Sequence, residues 1–395
     1  MKKIKSIFLF TCITIFVNAQ NSFQPFVDSL AKTYLEEYSG ALVIGIHDNG
    51  KEKIFYYGNN QKPDSNSIFE LGGITETFTS VLLADMSVKG DVKMDEKLQD
   101  FLPVTVPAPV YQKIICEKAA DPSQDRQKGE HDNLRINFTP FVCFPDPSSK
   151  PQFIILCDLA THTTGLPEYP YNLKNYKNVP FANYKKEDLY DFIKEYRFDK
   201  PLGYDYKHSY VGVAFLGHAL ALKTKTEFDT LITERIFTSL QMSDTRIHLS
   251  QKQQKRLLSG YDRYGNKIPN WNYDVLAPAG GMHSTINDMM KFLRANISSK
   301  KDSLSNILDY THNARLKLGG KRKDTEISLG WKINSLGADE KRVVWQEGST
   351  GGFSSYIGFV ETNHTGVVIL SSVSKNVNSI SVEILKKLAR EKLQQ

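Results

Sequence analysis

The sequence lacks any hydrophobic run after residue 20 that is long enough to cross a membrane, which excludes a protein with several membrane spans. It also lacks a large excess of charge of one sign, since 50 lysines and arginines face 44 aspartates and glutamates. Proteins that bind nucleic acid usually have a strongly basic surface, so this near balance of charge argues against a nucleic-acid partner. The composition is that of a globular protein, because 40% of the 395 residues are hydrophobic.

Cysteine is scarce, with four residues and no pair at CxxC spacing, which makes a structural zinc site improbable. Cys116 and Cys143 are candidates for a disulfide that would stabilise the fold by roughly 3 to 4 kcal/mol if the geometry permits. Cys157 follows the apolar run 153–156 and is interpreted as a buried thiol.

The N-terminus has the pattern of a secretory signal. Basic residues at 2, 3 and 5 precede an apolar stretch over 7–17, and small residues at 17 and 19 predict cleavage after Ala19. Residues 1–19 are therefore predicted to be a signal peptide. We expect an exported protein, periplasmic or secreted, without a transmembrane anchor in the mature chain.

Strand-like patterns occur near both ends of the chain. Residues 41–47 and 53–57 flank a turn signal at 48–50 and predict a hairpin, and a helix is expected to begin near residue 73. Three further β-rich runs occur near the C-terminus, at 343–345, 354–360 and 366–371. The middle of the chain is mostly helical in pattern.

This order predicts an α+β fold in which an antiparallel sheet flanked by helices is accompanied by a mainly helical lobe. We expect one domain over 20–395. Its α/β lobe would comprise 20–80 and 285–395, and its helical lobe 81–284, with an inserted surface loop at 107–150 that has no periodic apolar face. A binding site is expected between the lobes.

Four segments, in order, resemble the class C β-lactamase and DD-peptidase branch of the penicillin-recognising serine hydrolases. They are FELGGITETFT at 69–79, LATHTTGLP at 159–167, APAGGMHST at 277–285 and GFSS at 352–355. The resemblance covers most of residues 40–390 apart from the insertion. It implies the β-lactamase/transpeptidase-like fold and, in the family, acyl transfer through a serine.

The same resemblance implies that the family's catalytic motifs are altered here. In Ser-x-x-Lys, the serine position is Gly73 and the lysine position is Glu76. In Tyr-x-Asn, the positions are His208 and Tyr210, with Tyr206 as the rival match to the tyrosine.

The family's His-x-Gly motif becomes Gln346-Glu347-Gly348. The oxyanion hole, which uses backbone N–H groups, would be formed by Gly73 and Ser349. Gly73 has no side-chain atom to acylate, so no catalytic residue is assigned. Gly73, Glu76, His208, Tyr210, Gln346, Gly348 and Ser349 are predicted to line a binding site.

The favoured hypothesis is a non-hydrolytic binding or scaffolding protein of the cell envelope that holds a small molecule or peptide in the cleft. Glu76 would repel ligands that carry a carboxylate. No cofactor is expected, and no metal, because Glu76 with His208 gives only two ligands; His162 is interpreted as structural. The alternative is a hydrolase, with water activated by Glu76 or His208 or with a displaced serine nucleophile.

Overall fold

A computed structural model describes residues 23–118, 141–174, 179–203, 205–298, 302–336 and 341–390. The predicted signal peptide lies outside these residues and remains a prediction. The helices of the described residues are α1 (Phe23–Glu37), α2 (Ile74–Val88), α3 (Leu156–Thr161), α4 (Lys186–Glu195), α5 (Tyr210–Thr224), α6 (Phe228–Ile232), α7 (Gln251–Gln254), α8 (Ala277–Gly280), α9 (Ile286–Asn296), α10 (Ser303–Thr311) and α11 (Asn378–Arg390).

The strands include both predicted terminal groups. They are β1 (Ala41–Asp48), β2 (Lys51–Gly58), β3 (Ile68–Glu70), β4 (Val110–Tyr111), β5 (Ile114–Lys118), β6 (Phe141–Pro145), β7 (Gln152–Phe153), β8 (Gly260–Tyr261), β9 (Lys267–Ile268), β10 (His283–Thr285), β11 (Leu316–Lys317), β12 (Glu326–Ile327), β13 (Lys332–Leu336), β14 (Lys341–Ser349), β15 (Ser354–Val360) and β16 (Thr365–Ser371).

The main sheet joins the two ends of the chain. Its eight strands have the order β11-β12-β13-β14-β15-β16-β1-β2, and all neighbours are antiparallel. The N-terminal hairpin β1–β2 therefore adds to the C-terminal strands through β16. The predicted α+β architecture with an antiparallel sheet is confirmed.

Both faces of the sheet are covered, which explains why β1 is buried at every position and apolar from Ala41 to Ile46. Successive side chains point to opposite faces, so Ile44 packs in the cluster formed with α1 and α11. Val43 packs instead in the large cluster that contains α2, α5 and α9. The terminal helices thus cover one face of the sheet, and the helices from the middle of the chain cover the other.

The segment 107–150 differs from the expected loop. Its described residues include β4, which pairs with β7, and β5, which pairs with β6. Cys116 and Cys143 lie opposite each other in this second pair and form a disulfide, with their Cα atoms 4.1 Å apart. Residues 119–140 lie outside the described residues. These strands have only two to five residues, too few for a reliable period, although β5 and β6 contain apolar residues at 114–115 and 141–144.

Cys157, interpreted from the sequence as a buried thiol, is free and only partly buried. Among the residues described, none of the helices combines the length and the hydrophobicity needed to span a bilayer.

Candidate functional site

A cleft of about 560 Å³ lies where the first turn of α2 meets β14 and the residues that precede α5. All seven residues predicted from the sequence line this cleft. The rival match Tyr206 also lines it, and its ring packs edge-on against His162 with ring centroids 5.7 Å apart. Residues more than 270 positions apart in the chain thus meet in one site.

Gly73 is the N-cap residue of α2 and has an ordinary helical conformation, with φ −60° and ψ −14°. Any residue could adopt this backbone, so glycine is not required by conformation. Glycine is required here because there is no room for a side chain: a Cβ atom at this position would lie 2.8 Å from the carbonyl oxygen of Glu347. The room expected for a serine side chain is therefore occupied by the backbone of β14.

Glu76, one turn into α2, is 1% exposed and bonded to several partners. The Nε2 of His208 lies 3.0 Å and 3.2 Å from its two carboxylate oxygens, and the amide of Gln346 donates to it over 3.5 Å. The side chain of His208 is 33% exposed and faces the cleft. The sequence analysis predicted that these three residues line the site, but it did not predict the hydrogen bonds among them.

His162, interpreted from the sequence as a structural residue, completes the cluster. It follows α3 in a left-handed conformation, and its Nε2 lies 3.3 Å from Glu76 Oε2. Its Nδ1 accepts a hydrogen bond of 3.1 Å from the backbone N–H of Ser209. Because Nδ1 accepts, the proton of the neutral ring must be on Nε2, which donates to Glu76.

The ionisation of the cluster follows from burial and charge. Burial alone would raise the pKa of Glu76, but the charge of His208 and the hydrogen bonds from both histidines lower it well below its ordinary value. Burial disfavours the protonated ring of His208 and so lowers its pKa. The charge and hydrogen bond of the Glu76 carboxylate have the larger effect, so the pKa of His208 is raised overall. At His162 burial prevails and lowers the pKa. The cluster thus combines a carboxylate, a neutral inner ring and a readily protonated outer ring.

Glu76, His162 and His208 also have the composition of a metal site, with ligand atoms all within 4.8 Å of one another. The third ligand that the sequence appeared to lack is therefore present. However, a metal-binding Nε2 requires a proton on Nδ1 and an acceptor for that proton. The Nδ1 of His162 faces a backbone donor instead, so the donor set does not fit a metal ion.

A second carboxylate, Glu347, lies farther along the cleft on β14. Lys332 Nζ donates to its Oε1 over 2.8 Å, and the side-chain amides of Asn376 and Asn378 donate to its Oε2 over 2.9 Å and 2.5 Å. Burial favours the neutral acid, but Lys332 and the amide bonds outweigh burial and lower the pKa of Glu347. We call Lys332, Asn376 and Asn378 the donor cradle.

The expectation that Glu76 repels carboxylates remains a prediction, but the structure shows charges that offset this residue. Its charge is buried and offset by His208, whose raised pKa favours the imidazolium form. Glu347 is also offset, by Lys332, and Arg322 adds a cation over the ring of Tyr206 at 5.3 Å. Glu76 therefore does not give the cleft a net negative charge.

Sequence and structural comparisons agree with this architecture. A sequence model of the beta-lactamase family matches residues 27–389. The chain belongs to the beta-lactamase family, within the penicillin-recognising serine hydrolase superfamily.

A beta-lactamase of Pseudomonas fluorescens is 22% identical, with 88% of this chain and 92% of that protein covered. The D-alanyl-D-alanine-carboxypeptidase/endopeptidase AmpH of Escherichia coli strain K12 is also 22% identical, over 83% of this chain and 79% of its own length. The structure of a beta-lactamase/D-alanine carboxypeptidase from Pseudomonas syringae superposes with a TM-score of 0.72 at 20% identity, covering 93% of this chain and 99% of that one. These likenesses establish the β-lactamase/transpeptidase-like fold.

Proposed function

We propose that this chain is a non-hydrolytic member of its family, exported to the periplasm or secreted, that uses the cleft to bind a small molecule or peptide. The observation that carries the proposal is the approach of the Glu347 carbonyl to Gly73. The position has no nucleophile, and a side chain there would collide with backbone. A serine could be accommodated only if β14 moved away from α2.

The other serine hydroxyls of the cleft are poorly placed to replace the missing nucleophile. Ser349 and Ser355 donate to backbone carbonyls, and Ser354 is buried without a hydrogen-bond partner among the described residues. None of the three is hydrogen-bonded to a histidine or lysine. A serine nucleophile needs such a base to accept its proton.

The peptide part of the proposal is supported by the edge of β14. Strand β13 pairs with β14 only as far as Trp345, so residues 346–349 have no strand partner on that side within the described chain. These four residues line the cleft. An extended peptide can hydrogen-bond to such an edge as an added strand.

The test is the intact mass of the protein after treatment with a fluorophosphonate and, separately, with a fluorescent penicillin. We expect no added mass with either reagent. A serine hydrolase of the family with an intact nucleophile serves as the positive control. Stoichiometric labelling of any serine in this chain would overturn the proposal, and the labelled peptide would identify the nucleophile.

A second candidate, water-activated hydrolysis, is favoured by one observation. The Glu76 carboxylate orients a partly exposed imidazole, His208, at 3.0 Å, which is the arrangement of an acid–base pair. This candidate predicts turnover of nitrophenyl acetate that falls at least tenfold in both Glu76→Gln and His208→Ala. Equal rates in the parent and both variants would eliminate it.

A further inference from the structure

The donor cradle converges on one carboxylate from two parts of the chain. Lys332 begins β13, whereas Asn376 and Asn378 lie at the start of α11, and all three donate to Glu347. An ammonium and two amide N–H groups around one carboxylate form a strong anion site. Here the anion is a side chain of the protein itself.

We propose that Glu347 is a built-in anion that fills this cradle and determines the specificity of the cleft by excluding ligand carboxylates from it. The inference builds on the proposed binding function of the cleft and specifies the ligand chemistry. A second carboxylate at the cradle would meet the charge of Glu347, which already accepts a hydrogen bond from each of the three donor residues. Without Glu347, the same donors would be free to bind an external carboxylate.

Two further polar atoms at this end of the cleft can accept hydrogen bonds, an amide oxygen that only accepts and a hydroxyl that can also donate. Asn378 Oδ1 and Ser354 Oγ are buried, and neither has a hydrogen-bond partner among the described residues. Both residues line the cleft beside Glu347. A buried acceptor without a donor is costly, so a ligand that supplies an N–H or O–H group is favoured there. Because Lys332 already balances Glu347, an uncharged donor such as a carboxamide or hydroxyl fits better than an ammonium group.

Acetate and acetamide are suitable probes, because they have nearly the same shape and differ in charge. The parent and Glu347→Ala would be labelled with ¹⁵N-asparagine and titrated with each probe at constant ionic strength. The readout is the NMR shift of the side-chain amides of Asn376 and Asn378. Glu383→Ala is the matched control, since it removes a carboxylate that pairs with Lys386 on the exposed face of α11.

In the parent, we expect saturable shifts with acetamide and none with acetate. In Glu347→Ala, the affinity for acetate should rise at least tenfold, and adding Lys332→Met should abolish this gain. Acetamide should gain less than twofold, and Glu383→Ala should behave as the parent. If Glu347→Ala does not fold, Glu347→Gln, which keeps the side-chain volume, should show the same gain in reduced size.

Saturable acetate binding by the parent at these amides would overturn the inference, as would equal gains for acetate and acetamide in the variant. The absence of an acetate gain in every folded Glu347 variant would overturn it as well. These outcomes do not depend on acylation. They therefore leave the proposed non-hydrolytic function to be judged by the mass measurement alone.

Discussion

The two carboxylates of the cleft, Glu76 and Glu347, are neutralised by different chemistry. Glu76 is buried and faces two imidazoles, of which His208 has a raised pKa. Glu347 is partly exposed and faces an ammonium and two amides. The comparison teaches that the charge balance at Glu76 depends on the protonation of imidazole rings, whereas that at Glu347 depends on a lysine and two neutral amides.

The largest expected effect is on stability when Glu76 is removed. Glu76→Leu should lower the free energy of unfolding by about 3 to 5 kcal/mol, because it leaves the buried Nε2–H of His162 without an acceptor. Glu76→Gln keeps an acceptor oxygen and should cost less than half as much. Urea unfolding at pH 7 measures both. Equal costs for the two variants would show that the hydrogen bond from His162 is not the cause.

Gly73 lies against the backbone of Glu347, and its substitution tests how closely β14 approaches α2. Gly73→Ser should destabilise the fold by about 1 to 3 kcal/mol through overpacking against the Glu347 carbonyl. It should not restore labelling by fluorophosphonate. The matched control is Gly319→Ala, where an added Cβ meets nothing within 4 Å, and its cost should stay within about 0.5 kcal/mol. A Gly73→Ser protein as stable as the parent would contradict the close approach.

The pH dependence of stability should separate the two sites. The pKa of His208 is raised in the folded state, so its contribution is fully present below its unfolded pKa of about 6.5 and is lost as pH rises through the folded value. The parent should therefore lose stability relative to His208→Asn as pH increases from 6 to 9. Glu347→Gln should show the same pH slope as the parent over this range. Parallel curves for the parent and His208→Asn would contradict the pairing of His208 with Glu76.

The contribution of Glu76 has the opposite sign with pH. Its pKa is lowered on folding, so its stabilisation is present above its unfolded pKa and is lost as pH falls through the folded value. Within the cluster of Glu76, His162 and His208, the stability lost on raising pH therefore belongs to His208.

The smallest expected effect is on stability when Glu347 is neutralised. Glu347→Gln should lower the free energy of unfolding by about 1 kcal/mol, since its side chain is partly exposed and water screens the pair with Lys332. Urea unfolding in 0.1 M and 1 M salt provides the measurement. A loss as large as that of Glu76→Leu would remove the distinction between the two carboxylates.

The fold could be predicted to the extent that it depends on local patterns. The hairpin β1–β2, the start of α2 and the strands β14 to β16 follow from apolar runs and turn signals that neighbouring residues create. The seven cleft residues followed from the resemblance. The strands β5 and β6 of the insertion were not predicted, although they contain apolar runs at 114–115 and 141–144, because the polar residues 121–130 between them dominate the pattern of the segment.

The chemistry of the site could not be predicted in the same way, because it depends on contacts between distant residues. Glu76 and His208 are 132 positions apart, and the tautomer of His162 is set by a backbone group of another segment. The carbonyl that fills the space beside Gly73 has no sequence signature. In the sequence, Glu347 occupies only the variable position of the family's His-x-Gly motif. An explicit search for imidazoles that could face Glu76 would have identified His162.

The hydrogen bond from Ser209 to His162 constrains how far the cleft can open. Ser209 is the N-cap of α5, and His162 links it to Glu76 on α2. The starts of these two helices are therefore tied by a short chain of buried bonds, and separating them would expose unsatisfied groups. The width of the cleft is therefore constrained on this side, and a ligand must fit the existing opening.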